Sequence, residues 1–261
     1  MSSLFDTLLN YDNLFISSRP GMGNTMLLAN IADAYLNKNT DGKIVIFGYD
    51  ITSTRGIRFS DVFNAKLVAR KSEKELFELI NAVKEGLFEC DKAPQNERII
   101  YFEDLAFTPE EILEKVRGID GVGLVFLDAP LFSSVAVNRP ADYKETEGLV
   151  RAFKEMGIKF CWVHTLMKRP IIRTYFIPRR SHFIKEHKLF DATATIYRES
   201  YFVIGDYIKV RTSYGWRKIR HEFDSPIIPK REEIIIYPKG FKRAKVFKVS
   251  CDCAHQIIEE K

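Results

Sequence analysis

Ser18 to Thr25 read S-R-P-G-M-G-N-T, the composition of a loop built to wrap phosphate. Such a loop needs backbone N–H groups around the oxygens, an ammonium at the β/γ-phosphates and a hydroxyl for Mg²⁺. Gly21, Gly23 and Thr25 supply the first and the last, and Asn24 stands where the lysine belongs. The strict spacing G-x-x-x-x-G-K-[ST] therefore fails twice, at Ser18 and at Asn24. A second candidate is Asp128, the carboxylate that closes the apolar run Val122 to Asp128. Beside a phosphate loop such a group can hold Mg²⁺, because a hard cation bound to phosphate seeks anionic oxygen. The same residue type at a strand end also serves as a helix cap or turn former.

The flanks have the pattern that would aim these groups. Asn13 to Ser18 reads as a buried strand, and Thr25 to Leu36 carries Leu27, Leu28, Ile31 and Tyr35 at helical spacing. Strand, glycine loop and helix direct the helix N-terminal amides at an anion. Further strands are expected at Lys43 to Tyr49, Arg98 to Phe102, Val122 to Asp128 and Ile158 to Val163. Helices are expected from Ser72 to Phe88, with Ser72 and Glu75 as a capping box, from Thr108 onward behind Pro109 and Glu111, and from Glu145 to Met156. This alternation predicts an α/β fold, a mostly parallel sheet with helices on both faces. Beyond residue 190 the runs shorten: Ala192 to Tyr197, Tyr201 to Ile204, Tyr207 to Thr212, Glu233 to Tyr237 and Lys245 to Ser250. They are expected as antiparallel strands added at one edge of the same sheet, making residues 1–261 one domain.

The chain has 261 residues, 46% of them hydrophobic and 29% charged, which suits a water-soluble globular protein. No apolar run reaches the ~18 residues of a membrane span, and the start of the chain lacks a basic region followed by an apolar stretch, so no membrane is expected and the location is read as cytoplasmic. Cys90, Cys161, Cys251 and Cys253 have no ligand-spaced partners, which argues against zinc. The net charge of +5 hides an asymmetry: residues 1–150 hold 16 Lys/Arg against 23 Asp/Glu, and residues 151–261 hold 24 against 12. A basic half of that kind suits a polyanionic partner, although solvated faces also produce it.

Five segments, taken in order, resemble the RecA-like ATPase domain of DnaB-type replicative helicases. They are Phe15 to Thr25, Val45 to Ile51, Leu105 to Ile112 leading into Gly123 to Asp128, Trp162 to Pro170, and Asp191 to Tyr201. The R-P-x-M-G core and the I-Y-R-E-x-Y segment are the most specific of these. The resemblance implies a RecA-like P-loop fold with nucleotide-binding positions at Ser18, Arg19, Gly21, Gly23, Asn24 and Thr25, and with Thr25 and Asp128 at Mg²⁺. It also implies catalytic positions at Asp50, where the family has a longer Glu, and at Thr165, where it has a sensor Gln. The family's basic finger falls near Lys239. Lys168, Arg169, Arg173, Arg179 and Arg180, five cations within thirteen residues, follow the sensor strand as a nucleic-acid contact.

Loss of the cation and of the longer carboxylate predicts slow or absent hydrolysis, with ATP and Mg²⁺ still able to bind. Three readings follow. One is a module that binds single-stranded DNA or a helicase or other replication partner and regulates replication or recombination. Another is an active helicase or translocase that recruits Lys168 or Lys239 as a replacement cation. The third is a regulatory ATPase of the recombinase or clock-protein type. DnaB-type helicases carry a helical domain and a linker helix ahead of this domain, whereas the first strand here starts about a dozen residues in. Edge-to-edge association, or entry into a ring made by another protein, is the expected assembly.

Overall fold

The computed structural model describes residues 3–18, 23–48, 58–85, 87, 96–104, 106–134, 140–165, 188–198, 201–204, 207–212, 215–220, 232–240, 243–252 and 254–261. Its elements are α1 (Leu4–Leu9), β1 (Asn13–Ser18), α2 (Asn24–Lys38), β2 (Lys43–Gly48), α3 (Phe59–Ala69), α4 (Leu76–Lys84), β3 (Ile99–Glu103), α5 (Pro109–Arg117), β4 (Val122–Asp128), α6 (Tyr143–Glu155), β5 (Lys159–Thr165), β6 (Ala192–Arg198), β7 (Tyr201–Ile204), β8 (Tyr207–Thr212), β9 (Gly215–Arg220), β10 (Glu232–Pro238), β11 (Lys245–Asp252) and β12 (Ile257–Glu260). Nine strands form one sheet in the order β12-β11-β10-β6-β1-β5-β4-β2-β3. The run from β6 to β3 is parallel, and β10, β11 and β12 extend it in antiparallel fashion.

Two expectations about the C-terminal strands need correction. Ala192–Arg198 is a parallel strand in the interior of the sheet, paired with β1 through Leu14, Phe15 and Ile16. Strands β7, β8 and β9 form a separate three-stranded antiparallel sheet, so only β10 to β12 are the edge additions.

Period-2 alternation along the parallel strands sends side chains to two cores. Leu14 and Ile16 face α1, α2 and α3 in a cluster with Leu27, Leu28, Ile31, Phe63 and Cys161. Phe15, Phe47, Leu127 and Phe160 face α5 and α6, joined by Phe153 and Phe190 and by the half-buried Trp162. Phe15 meets Trp162 edge-on at 5.6 Å, a favoured aromatic geometry. Helix α2 is buried along most of its length, which explains why its apolar residues crowd the sequence instead of keeping to one stripe. No helix among the described residues is long and apolar enough to cross a membrane.

Helix boundaries differ from the local signals in one place. Ser72 and Glu75 do not cap a helix: α4 starts at Leu76, and Glu75 is its N-cap without a side-chain bond. The amide of Leu76 donates instead to the carbonyl of Ala254 at 2.7 Å, so a distant turn sets this start. The box at Thr108 and Glu111 forms as expected.

Candidate nucleotide site

Strand β1 ends at Ser18, and α2 begins at Asn24 behind Gly23, whose φ of 98° is a left-handed conformation suited to glycine. The first intrahelical bond runs from Leu27 N to the Gly23 carbonyl at 2.9 Å, so the amides ahead of it point out of the helix end. Asn24 is the first helical residue and Thr25 the second. The Thr25 hydroxyl donates to Asp128 Oδ2 at 3.2 Å, across 103 residues of sequence.

The sheet order explains this meeting. Asp128 ends β4 and Ser18 ends β1, with β5 between them, and the parallel register aligns Ser18 with Thr165 and Gly48 with Asp128. All these residues sit at the C-terminal ends of parallel strands, where open α/β sheets bind ligands. Behind the carboxylate lies Cys161, whose thiol is held well above its usual range by complete burial and, second, by the charge of Asp128. It stays a neutral thiol in the wall of the site. His164 is exposed near the end of β5, its ring stacked over Phe15 at 6.3 Å.

Of the sequence candidates, the structure brings together Gly23, Asn24, Thr25 and Asp128. Ser18 and Thr165 are neighbours in the strand register, and their side chains lie outside the described part. Arg19, Gly21 and Asp50 lie outside the described residues, as do Lys168, Arg169, Arg173, Arg179 and Arg180. Lys239 does not belong to this chain's own site. It follows Pro238, which pairs with Ala192 at the start of β6, and Ala192 pairs with Leu14 at the start of β1. Six residues of β1, about 20 Å, separate that end of the sheet from the loop, beyond the reach of a lysine.

Glu103 is a further carboxylate on the same rim, and it escapes sequence reasoning. It ends β3 in register with Gly48 and accepts from the amides of Phe59 and Ser60 at 2.9 and 3.1 Å. It therefore caps the N-terminus of α3 from another element. Gly48, at the end of β2, lies so close to the Phe59 ring that a Cβ there would sit 2.7 Å from Cζ. The signal for α3 in the sequence was Phe59, Phe63 and Leu67 at four-residue spacing.

The groups present suit Mg²⁺ and a nucleotide phosphate: two hard oxygens in contact, beside outward-pointing amides at the N-terminus of a 15-residue helix. The position of the usual ammonium holds a neutral amide.

No protein-family model matches the chain, and no curated protein matches it significantly. Solved structures do. The ATPase domain of a DnaB-like helicase, solved on its own, is similar with a TM-score of 0.58 at 14% identity, over 94% of this chain and 83% of that one. A structure of a DnaB-like replicative helicase and its interactions with primase is similar with a TM-score of 0.60 at 14% identity, over 95% of this chain and 57% of that one. Likeness at this level of identity speaks to architecture, and the chain has the RecA-like fold of the ATPase domains of DnaB-like replicative helicases.

Proposed function

We propose that this protein is a DnaB-like helicase-domain protein of DNA replication or recombination, a module that binds nucleic acid or a helicase partner and whose ATPase site is impaired. The observation that carries the reading is the split within the site. Thr25 and Asp128 keep their contact at 3.2 Å, while Asn24 opens the helix where a cation would stand. Bound Mg·ATP would supply the metal's charge and the transferable phosphoryl group. The chain's own part is then to cradle phosphate with the α2 amides and to hold the metal with the Thr25 hydroxyl and the Asp128 carboxylate. Asn24 can donate a neutral hydrogen bond, but it cannot offset the charge that builds on the phosphoryl oxygens. Loss of one such stabilising group costs on the order of 10²–10³ in rate. Asp50, one methylene shorter than the family's glutamate, holds its oxygen back from an attacking water, and a mispositioned base forfeits up to ~10²–10⁴ more.

The rival reading, an active translocase with a replacement cation, is deprived of Lys239 as a source within the same chain. One experiment separates the two: Mg·ATP turnover with and without single-stranded DNA, for the unmodified protein and for Asn24→Lys. Turnover close to the uncatalysed rate, insensitive to DNA and raised by the lysine, is expected. Robust DNA-stimulated turnover by the unmodified protein would sink the proposal.

A further inference from the structure

At the opposite end of the sheet from the phosphate loop lies a cavity of about 440 Å³ lined by Tyr11, Asp191, Pro238, Lys239, Arg243 and Lys245. Its residues come from three places that the fold draws together: the approach to β1, the approach to β6, and the β10–β11 connection. The Lys239 amide donates to the Asp191 carbonyl at 2.7 Å, and Gly240 follows with a φ of 79°, which fixes the turn that carries the lysine.

The charge balance of the lining is uneven. Lys239, Arg243 and Lys245 are exposed, and none has an ion pair or hydrogen bond through its side chain among the described residues. The one carboxylate, Asp191, is turned elsewhere: its Oδ2 accepts from the Asn13 amide at 3.1 Å and from Asn13 Nδ2 at 3.5 Å. Tyr11 adds a half-buried phenol, and burial raises its pKa further, so it keeps its proton and remains a donor. Three cations and a hydroxyl thus face one concavity with no acceptor of their own.

We infer that this cavity is an anion site for a phosphomonoester, bound by a single chain and separate from the phosphate loop. Phosphate suits it better than carboxylate, because a doubly charged group with three acceptor oxygens can engage several cations at once. The volume lies within the ~300–1,000 Å³ of small-molecule pockets, enough for one nucleotide and too little for a stretch of strand. The phosphate can come from a free polyphosphate or nucleotide, or from the terminal phosphate of a nucleic-acid strand.

The test is calorimetric titration of the full chain in Mg²⁺-free buffer, in an Asp128→Asn background that sets the loop site apart. The probes are inorganic pyrophosphate and one oligonucleotide in 5′-phosphate and 5′-hydroxyl forms. Pyrophosphate should bind, Arg243→Gln or Lys245→Gln should weaken it about tenfold each, and Lys154→Gln, an exposed charge on α6, should leave it unchanged. If the 5′-phosphate strand binds more tightly than its 5′-hydroxyl twin, and Arg243→Gln removes the difference, the strand end is the source. If the two strands bind alike while pyrophosphate still depends on Arg243, a free polyphosphate is. Absence of pyrophosphate binding, or equal weakening in Lys154→Gln, overturns the inference. The replaced side chains are exposed, so unfolding does not confuse the result. Failure here leaves the ATP-turnover test untouched, because the two sites occupy opposite ends of β1.

Discussion

Asp128 and Glu103 stand on the same rim of the sheet, and their partners give them different work. Asp128 contacts a hydroxyl that can share a metal, so Asp128→Asn should abolish the Mg²⁺ dependence of nucleotide binding. Titration of a fluorescent nucleotide in Mg²⁺ and in chelator checks this. The unmodified chain should bind more tightly in Mg²⁺, and the variant should not tell the two conditions apart. Glu103 instead holds two helix amides, a charge-assisted cap, and Glu103→Ala should lower stability by about 1–2 kcal/mol in denaturant unfolding. An unchanged midpoint would refute the cap. Asp128 was legible because a carboxylate closing an apolar strand is a local pattern downstream of a glycine loop. Glu103 was not, since its partners lie more than forty residues away in sequence.

Helix α2 is fixed by more than the sheet. Asn30, buried within it, donates to the Met26 carbonyl at 2.7 Å and to the Gln256 carbonyl at 2.9 Å, and its Oδ1 accepts from the Ile258 amide at 3.0 Å and from Arg70. Arg70 in turn bonds the Gln256 carbonyl at 3.0 Å and Asp33 at 3.2 Å, and Lys66 reaches Gln256 Oε1 at 2.9 Å. The β11–β12 hairpin is thereby locked onto α2 and α3. Asn30→Ala would strand buried polar partners, and a destabilisation of about 2–4 kcal/mol is expected, measured by urea unfolding. The same turn holds a titratable pair, with His255 Nδ1 at 2.8 Å from Asp252 Oδ2. The bond to Asp252, and then its charge and the Glu73 carbonyl, raise the His255 pKa, while the bond to His255 lowers that of Asp252. The stabilisation is therefore present from above the ordinary aspartate pKa to below the ordinary histidine pKa. It fades as pH rises through the raised histidine value or falls through the depressed aspartate value. Melting temperature against pH should show this window, and His255→Gln should flatten it. Elements with local punctuation, such as α5 with its Thr108 box, could be read from sequence. Helices α3 and α4 take their first-turn bonds from Glu103 and Ala254, so local rules missed one and misplaced the start of the other.

For the whole molecule, charge is the property that reaches a partner before any contact forms. Residues 151–261 carry twice as many basic as acidic side chains, and the proposed single-stranded DNA contact at Lys168, Arg169, Arg173, Arg179 and Arg180 lies in that half. Affinity should fall steeply with salt, and neutralising Arg179 and Arg180 should flatten the slope by about one unit for each phosphate no longer engaged. An unaltered slope in the doubly neutralised variant would remove this segment from the interface. The alternation of strands and helices made the parallel sheet legible from sequence. The position of β6 inside it was not, because parallel pairing with β1 joins residues almost 180 apart. The hairpin lock has a consequence for how the protein is made. Asn30 waits for a partner 226 residues later, and the Leu4 amide for Glu260, 256 residues later. On the ribosome the phosphate loop and its helix emerge early, yet their last fastening is among the final residues to be synthesised. A nascent chain thus carries its candidate site in an unsecured state until translation is nearly done. Residues 4 and 260, held side by side, are also natural points at which to join the ends and reopen the chain elsewhere.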